Sequence, residues 1–89
     1  MSVDIEGGCS AIGLANGAWF WLLDNCIGEI LGSKKHTNDP VNATAEQASK
    51  CAKAVAEAKI PEDVIPPWIV KLLVDHFAEC GAMDGFETR

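Results

Sequence analysis

From Ala18 to Leu31 the chain reads AWFWLLDNCIGEIL. On a helical wheel at about 100° per residue, Trp19, Phe20, Leu22, Leu23, Cys26, Ile27, Ile30 and Leu31 fill one continuous arc. Asp24, Asn25, Gly28 and Glu29 fill the other arc, and Trp21 projects into the middle of it. The pattern predicts an amphipathic helix over 16–31 with one indole on its polar side. Asn16 stands at the N-cap position, and Gly32 stands where a C′ glycine ends a helix.

Two more helices follow from the same periodicity. Thr44 with Gln47 three residues on makes a capping box that opens a helix over 44–59. Its inner face, Ala48, Cys51, Ala52, Val55 and Ala58, is small enough to lie close against the first helix. Glu46 and Lys50 form an i,i+4 pair on its outer side. Ile60-Pro61 stops this helix, and the connector PEDVIPP cannot continue it. Pro67 suits the first turn of a third helix, 67–80, closed by Gly81. There Ile69, Val70, Leu72, Leu73, Phe77 and Cys80 point inward, and Lys71, Asp75 and Glu79 point out.

The period is different at the N-terminus. Val3-Asp4-Ile5-Glu6 alternates apolar with acidic, and Ser10-Ala11-Ile12-Gly13-Leu14 alternates more loosely. With Gly7-Gly8 between them, the two runs read as a hairpin on a tight turn, Val3 opposite Ile12 and both Ile5 and Leu14 on the same side. An irregular arm is the competing reading. The stretch Ser33 to Ala43 has little apolar content and reads as a solvated loop, whereas Met83 and Phe86 can tuck the tail back onto the core.

These elements predict one mainly α domain over 1–89, with α+β as the alternative: an N-terminal β-hairpin or arm over 1–15, then a three-helix bundle. A hydrophobic fraction of 48% argues against disorder. A chain of 89 residues buries only roughly 60–65% of its unfolded surface, so an oligomer, metal or ligand would add usefully to its stability. Seven basic against thirteen acidic residues leave a formal charge of −6 and no basic stripe, so direct nucleic-acid binding is not expected. A protein partner with a basic surface suits that charge. The longest apolar run, Ala18 to Leu23, is too short for a membrane span, and no signal-peptide pattern opens the chain, so a cytoplasmic protein is expected. In that compartment Cys9, Cys26, Cys51 and Cys80 stay thiols.

Candidate chemistry is sparse. His76 falls inside the apolar arc of the third helix with Cys80 one turn on, so the pair could supply two ligands to a metal. The remaining cysteines and His36 are scattered without metal-ligand spacing, so no metal and no cofactor is expected, and a hydrogen-bonded core histidine is the default reading. A Cys–His nucleophile pair needs an electropositive setting, yet Cys26 and Cys80 fall mid-helix or at a helix C-terminus, where the dipole opposes a thiolate. No serine-hydrolase elbow, phosphate loop or dinucleotide fingerprint occurs, and no enzyme activity is expected.

The tryptophans carry the stronger reading. Trp21 with Asp24 and Asn25, and Trp68 on the Asp75 side of the third helix, are the candidate partner-binding residues, because aromatic anchors among acids are common at interfaces.

Several features in order, Asn16-Gly17 before Trp19 and Leu22-Leu23, Asn38-Asp39 before Thr44-Ala45-Glu46-Gln47-Ala48, then Trp68, Phe77-Ala78-Glu79-Cys80-Gly81 and Gly85-Phe86-Glu87, resemble a loose group of small uncharacterised prokaryotic proteins. Members share an N-x-x-W helix start and a terminal F-x-x-F-x-x-x-C-G-G-F run, whose glycine pair is split here by Ala82-Met83-Asp84. The resemblance implies a compact helical fold and assigns no site residue. The expected function is a non-catalytic acidic protein-interaction module. One concrete form is an inhibitor, such as a phage or mobile-element antagonist of a host defence or nucleic-acid enzyme. The alternative is a small-ligand- or metal-binding module built in a homo-oligomer.

Overall fold

In a computed structural model that describes residues 2–8, 10–32 and 41–89, the chain forms an antiparallel sheet with three helices. The order is β1 (Ser2–Gly7), β2 (Ser10–Ala15), a helix α1 over 16–31, β3 (Asn42–Ala43), α2 (Ala45–Glu57), α3 (Pro67–Gly81) and β4 (Phe86–Thr88). The expected three-helix bundle with an arm is corrected to a mixed α+β domain, because four strands join in one sheet of order β2-β1-β4-β3. The tail makes the difference. Phe86–Thr88 enters between β1 and β3 and pairs with both, so the hairpin becomes half of a sheet.

Register explains which residues form the core. Val3 pairs with Leu14, Ile5 with Ile12 and Thr88, and Phe86 with Gly7 and Ala43, which places these residues on one face of the sheet. That face is the floor of a core completed by Trp19, Leu22, Leu23 and Ile27 of α1, Cys51 and Val55 of α2, Ile65, and Leu73, Phe77 and Cys80 of α3. Phe77 and Phe86 stack at 5.1 Å between ring centroids. Phe86 is buried as expected, while Met83 stays 47% exposed. On the opposite face Arg89 pairs with Glu6 at 3.1 Å and Glu87 at 3.2 Å.

The hairpin register is shifted by two residues from the expected one, so Val3 lies opposite Leu14 and not Ile12. Gly7 pairs with Ser10, so Gly8 rather than the Gly7-Gly8 pair supplies the turn's positive φ, at 58°. Gly7 serves a different need. A Cβ there would lie 2.7 Å from Cys80 Sγ and 2.9 Å from Phe86 Cβ.

Helix boundaries follow the local chemistry closely. The Thr44–Gln47 capping box is complete in both directions, at 3.2 and 2.9 Å, and Gln47 Nε2 also donates to the Ile30 carbonyl at 3.1 Å, tying α2 to the end of α1. Glu46 and Lys50 pair on the exposed side at 3.5 Å. Gly32 ends α1 at φ 71°. Asn16, expected as N-cap, is instead the first helical residue after Ala15, and its Oδ1 is buried without a hydrogen bond to any described residue.

Helix α1 comprises Asn16–Leu22, a π turn Leu23–Ile27, and Gly28–Leu31. The Asn25 side-chain amide donates to the Trp21 carbonyl at 2.9 Å, the acceptor that an uninterrupted α-helix would offer to the Asn25 N–H. The wider turn shifts the faces beyond it, which is why Gly28, placed on the polar arc by a regular wheel, is buried.

The loop expected over 33–43 is corrected at its end. Asn42–Ala43, read as the end of a solvated loop, forms β3, and residues 33–40, with His36, lie outside the described residues, as does Cys9. No helix among the described residues is long and apolar enough to cross a membrane.

Candidate functional site

Helix α3 packs on α2, β1 and β2, at the β2 side of the sheet. Pro67 starts it, with the Ile69 and Val70 N–H groups bonding to the Pro66 carbonyl, and buried Ile65 pins the connector beneath. A helix over the middle of a sheet is covered on both flanks. Here only the flank carrying Leu73, His76, Phe77 and Cys80 is buried. Leu72, expected to point inward, is 48% exposed because it lies on the flank that overhangs the sheet.

The exposed stripe therefore runs Trp68, Leu72, Asp75, Glu79, at the i, i+4, i+7, i+11 spacing of one helix face. Trp68 is 67% exposed. Between this stripe and the start of β2 lies a pocket of about 290 Å³, lined by Ser10, Ala11, Ile12, Leu72, Asp75, His76 and Glu79.

His76 holds the helix against that strand. It is 6% exposed; its Nε2 lies 2.9 Å from the Ile5 carbonyl oxygen, and its Nδ1 lies 3.2 Å from Ser10 Oγ. A carbonyl can only accept, so the ring proton is assigned to Nε2, and Nδ1 accepts from the serine hydroxyl. Cys80 Sγ sits 3.7 Å from the same Nε2. That nitrogen carries the proton and cannot take one from the thiol. Burial, followed by the nearby Glu79 charge, also pushes the Cys80 thiol up from its ordinary value, with a backbone hydrogen bond only partly opposing. This arrangement latches α3 to β1 and β2 and does not activate a nucleophile.

Cys26 and Cys51, the other two thiols among the described residues, are equally quiet. Burial pushes Cys51 up to about 12, with Cys26 adding to the shift, and burial raises Cys26 as well. No group of three or more His, Cys, Asp or Glu among the described residues could hold a metal ion, and within those residues His76 and Cys80 are a pair only.

The five residues singled out from sequence divide between two surfaces. Trp68 and Asp75 share the α3 stripe. Asp24 and Asn25 are exposed on the π turn, beside a second pocket of about 180 Å³ lined by Leu23, Asp24, Asn25, Cys26, Gly28 and Glu29. Trp21, placed on the polar arc by the wheel, is half-buried and packs against the rim of the core. Sequence reasoning missed Leu72, Glu79 and the strand beside them. The signal was present in the Trp68-to-Glu79 spacing and in SAIGLA, which contains no charge. No protein-family model, curated protein or solved structure matches this chain.

Proposed function

We propose that this chain is a non-catalytic, acidic protein-interaction module that docks a partner with a basic surface on the outer face of α3. The observation that carries the reading is Trp68, 67% exposed, one turn from Leu72, 48% exposed, on a stripe continued by Asp75 and Glu79. Fully covering a large apolar side chain is worth about 1.5–3 kcal/mol, so two such residues left in water on one helix face form a ready anchor. The carboxylates beside them and the net charge of −6 steer a cationic surface toward that anchor. Blocking a basic functional surface, as an inhibitor does, is the form of this function that the charge suits.

Co-purification from the native host, comparing the wild-type chain with a Trp68→Ser, Leu72→Ser double variant, tests the reading. A hot-spot pair of this kind weakens binding by about thirtyfold or more when truncated, so the specific partner should disappear from the variant sample. The variant should unfold at nearly the wild-type temperature, since both side chains lie largely outside the core. Recovery of the same partners with both proteins would overturn the proposal.

A further inference from the structure

Strand β2 is an edge of the sheet, and hydrogen-bond alternation says which of its backbone groups are unspent. Asp4 and Arg89 exchange both backbone bonds, at 3.0 and 2.9 Å, so the Asp4 N–H and C=O face β4. Neighbouring residues on a strand face opposite ways, so Val3 and Ile5 bond to their β2 partners Leu14 and Ile12. Ala11 and Gly13, between those partners, turn their N–H and C=O groups away from the sheet, and both residues are exposed. Edges that must not pair usually carry lysine, proline or a bulge. SAIGLA carries no lysine and no proline, and its pairing with β1 runs unbroken from Ser10 to Ala15.

On the helix side of this edge, Leu72, Asp75 and Glu79 overhang Ser10 and Ala11 across the 290 Å³ pocket. On the other side, the alternate β2 positions are Ala11, Gly13 and Ala15, flat and without charge. An incoming strand would thus meet a carboxylate pair and a leucine with one set of alternate side chains and nothing selective with the other. A second copy of the chain could not answer the carboxylates from its own β2, which contains no cation.

We propose that the open edge of β2 takes one extended, lysine- or arginine-bearing segment of a partner protein as a fifth strand, its cationic side chain lying beside Asp75 and Glu79. The segment hydrogen-bonds to Ala11 and Gly13, and the apolar part of its side chain covers Leu72. This assignment rests on the interaction-module reading and names the chemistry of its partner.

The test uses the full ¹⁵N-labelled chain and an N-acetylated, C-amidated octapeptide alternating valine with arginine. Two controls accompany it: the glutamate counterpart, and the arginine peptide N-methylated at every second residue on its pairing edge. At saturation the Ala11 and Gly13 amides should exchange with solvent at least about tenfold more slowly, as newly bonded amides do. Both controls should bind more weakly, and an Asp75→Asn variant should lose about two- to threefold in affinity for the arginine peptide, the scale of one exposed ion pair. Ala11→Pro, which removes an outward donor, should weaken binding similarly, and the N-methylated peptide gives the same information if that variant does not fold. Unchanged exchange at Ala11 and Gly13, or equal binding of the glutamate peptide, overturns the fifth strand. If peptide signals then move only the Trp68 indole and Leu72 methyls, the docking face survives without strand addition; if neither region responds, both readings fall. Protection of the two amides on raising protein concentration alone would make a second copy the occupant and also overturn the assignment.

Discussion

Replacing His76 with phenylalanine tests whether the two hydrogen bonds of its ring hold α3 in place. The substitution keeps a planar ring of similar size beside Phe77 and deletes the bonds to Ile5 and Ser10. Each such bond contributes about 1 kcal/mol net. The groups left behind are not stranded: the Ile5 carbonyl keeps its strand partner through the Ile5–Ile12 pair, and exposed Ser10 can turn to water. The more apolar phenyl ring returns part of the loss, so the expected destabilisation is about 1 kcal/mol, or a fall of about 4–8 °C in the unfolding midpoint for a domain of this size. Urea and thermal melts of His76→Phe, Ser10→Ala and the double variant measure it. The cycle should show a coupling of about 0.5–1 kcal/mol between the two sites, because removing either partner already removes the bond. Wild-type stability in His76→Phe together with additive single effects would refute the latch.

Four further outcomes follow from the packing. Asn16→Ala should stabilise the protein by about 0.5–1 kcal/mol, since the change removes a buried acceptor with no bond to any described residue and installs a better helix former; loss of stability in a urea melt would point to a partner for that oxygen. Thr44→Ala should cost about 1 kcal/mol by opening the capping box, and a midpoint equal to wild type would show that α2 does not need its cap. Gly81→Ala should destabilise by about 1–3 kcal/mol despite alanine's helix preference, because the new Cβ would meet Ser49 Oγ and lie 3.0 Å from the Ser49 backbone N and Cα; a gain in stability would mean that α2 and α3 have room to separate. For Cys51, the folded thiol keeps its proton up to about pH 12 whereas the unfolded one releases it near 9.0, so its contribution is full below about pH 9 and is lost as pH rises toward 12. Stability measured across that window should fall more steeply in the wild type than in Cys51→Ala, and parallel profiles would contradict the shift.

What the sequence made legible was whatever depends on neighbours along the chain. The Thr44–Gln47 box, Gly32 at the end of α1 and Pro67 at the start of α3 all act within one helical turn, and each stands where the local pattern places it. The sheet was not legible because its third and fourth strands are two and three residues long. Asn42–Ala43 and Phe86–Thr88 are too short to show alternation, and they become strands only through partners more than 40 residues away. The π turn was hidden for another reason: a regular wheel assumes an unbroken ladder, and the Asn25 side chain intervenes at Trp21. The wheel placed Trp68 and Asp75 on the outer side of α3, and both are exposed there. Leu72 was misplaced because a wheel reports which residues share a face and not how much of that face a neighbour covers.

That last point joins the separate features of the site into one. The apolar arc of α3, from Ile69 round through Leu72, Leu73, His76 and Phe77, is as wide as that of a helix seated over the middle of a sheet. The latch from His76 to Ile5 and Ser10 fixes the helix over β1 and β2, with Leu73 and Phe77 turned in, and among the described residues no further strand lies beyond β2 to cover Leu72. The open backbone edge and the surplus apolar flank therefore have a single cause: the sheet stops one strand short of the width its helix is patterned to cover. An extended segment added at β2 would complete both at once, bonding the outward groups of Ala11 and Gly13 while closing over Leu72, and only the carboxylates of Asp75 and Glu79 would remain to discriminate which segment it is.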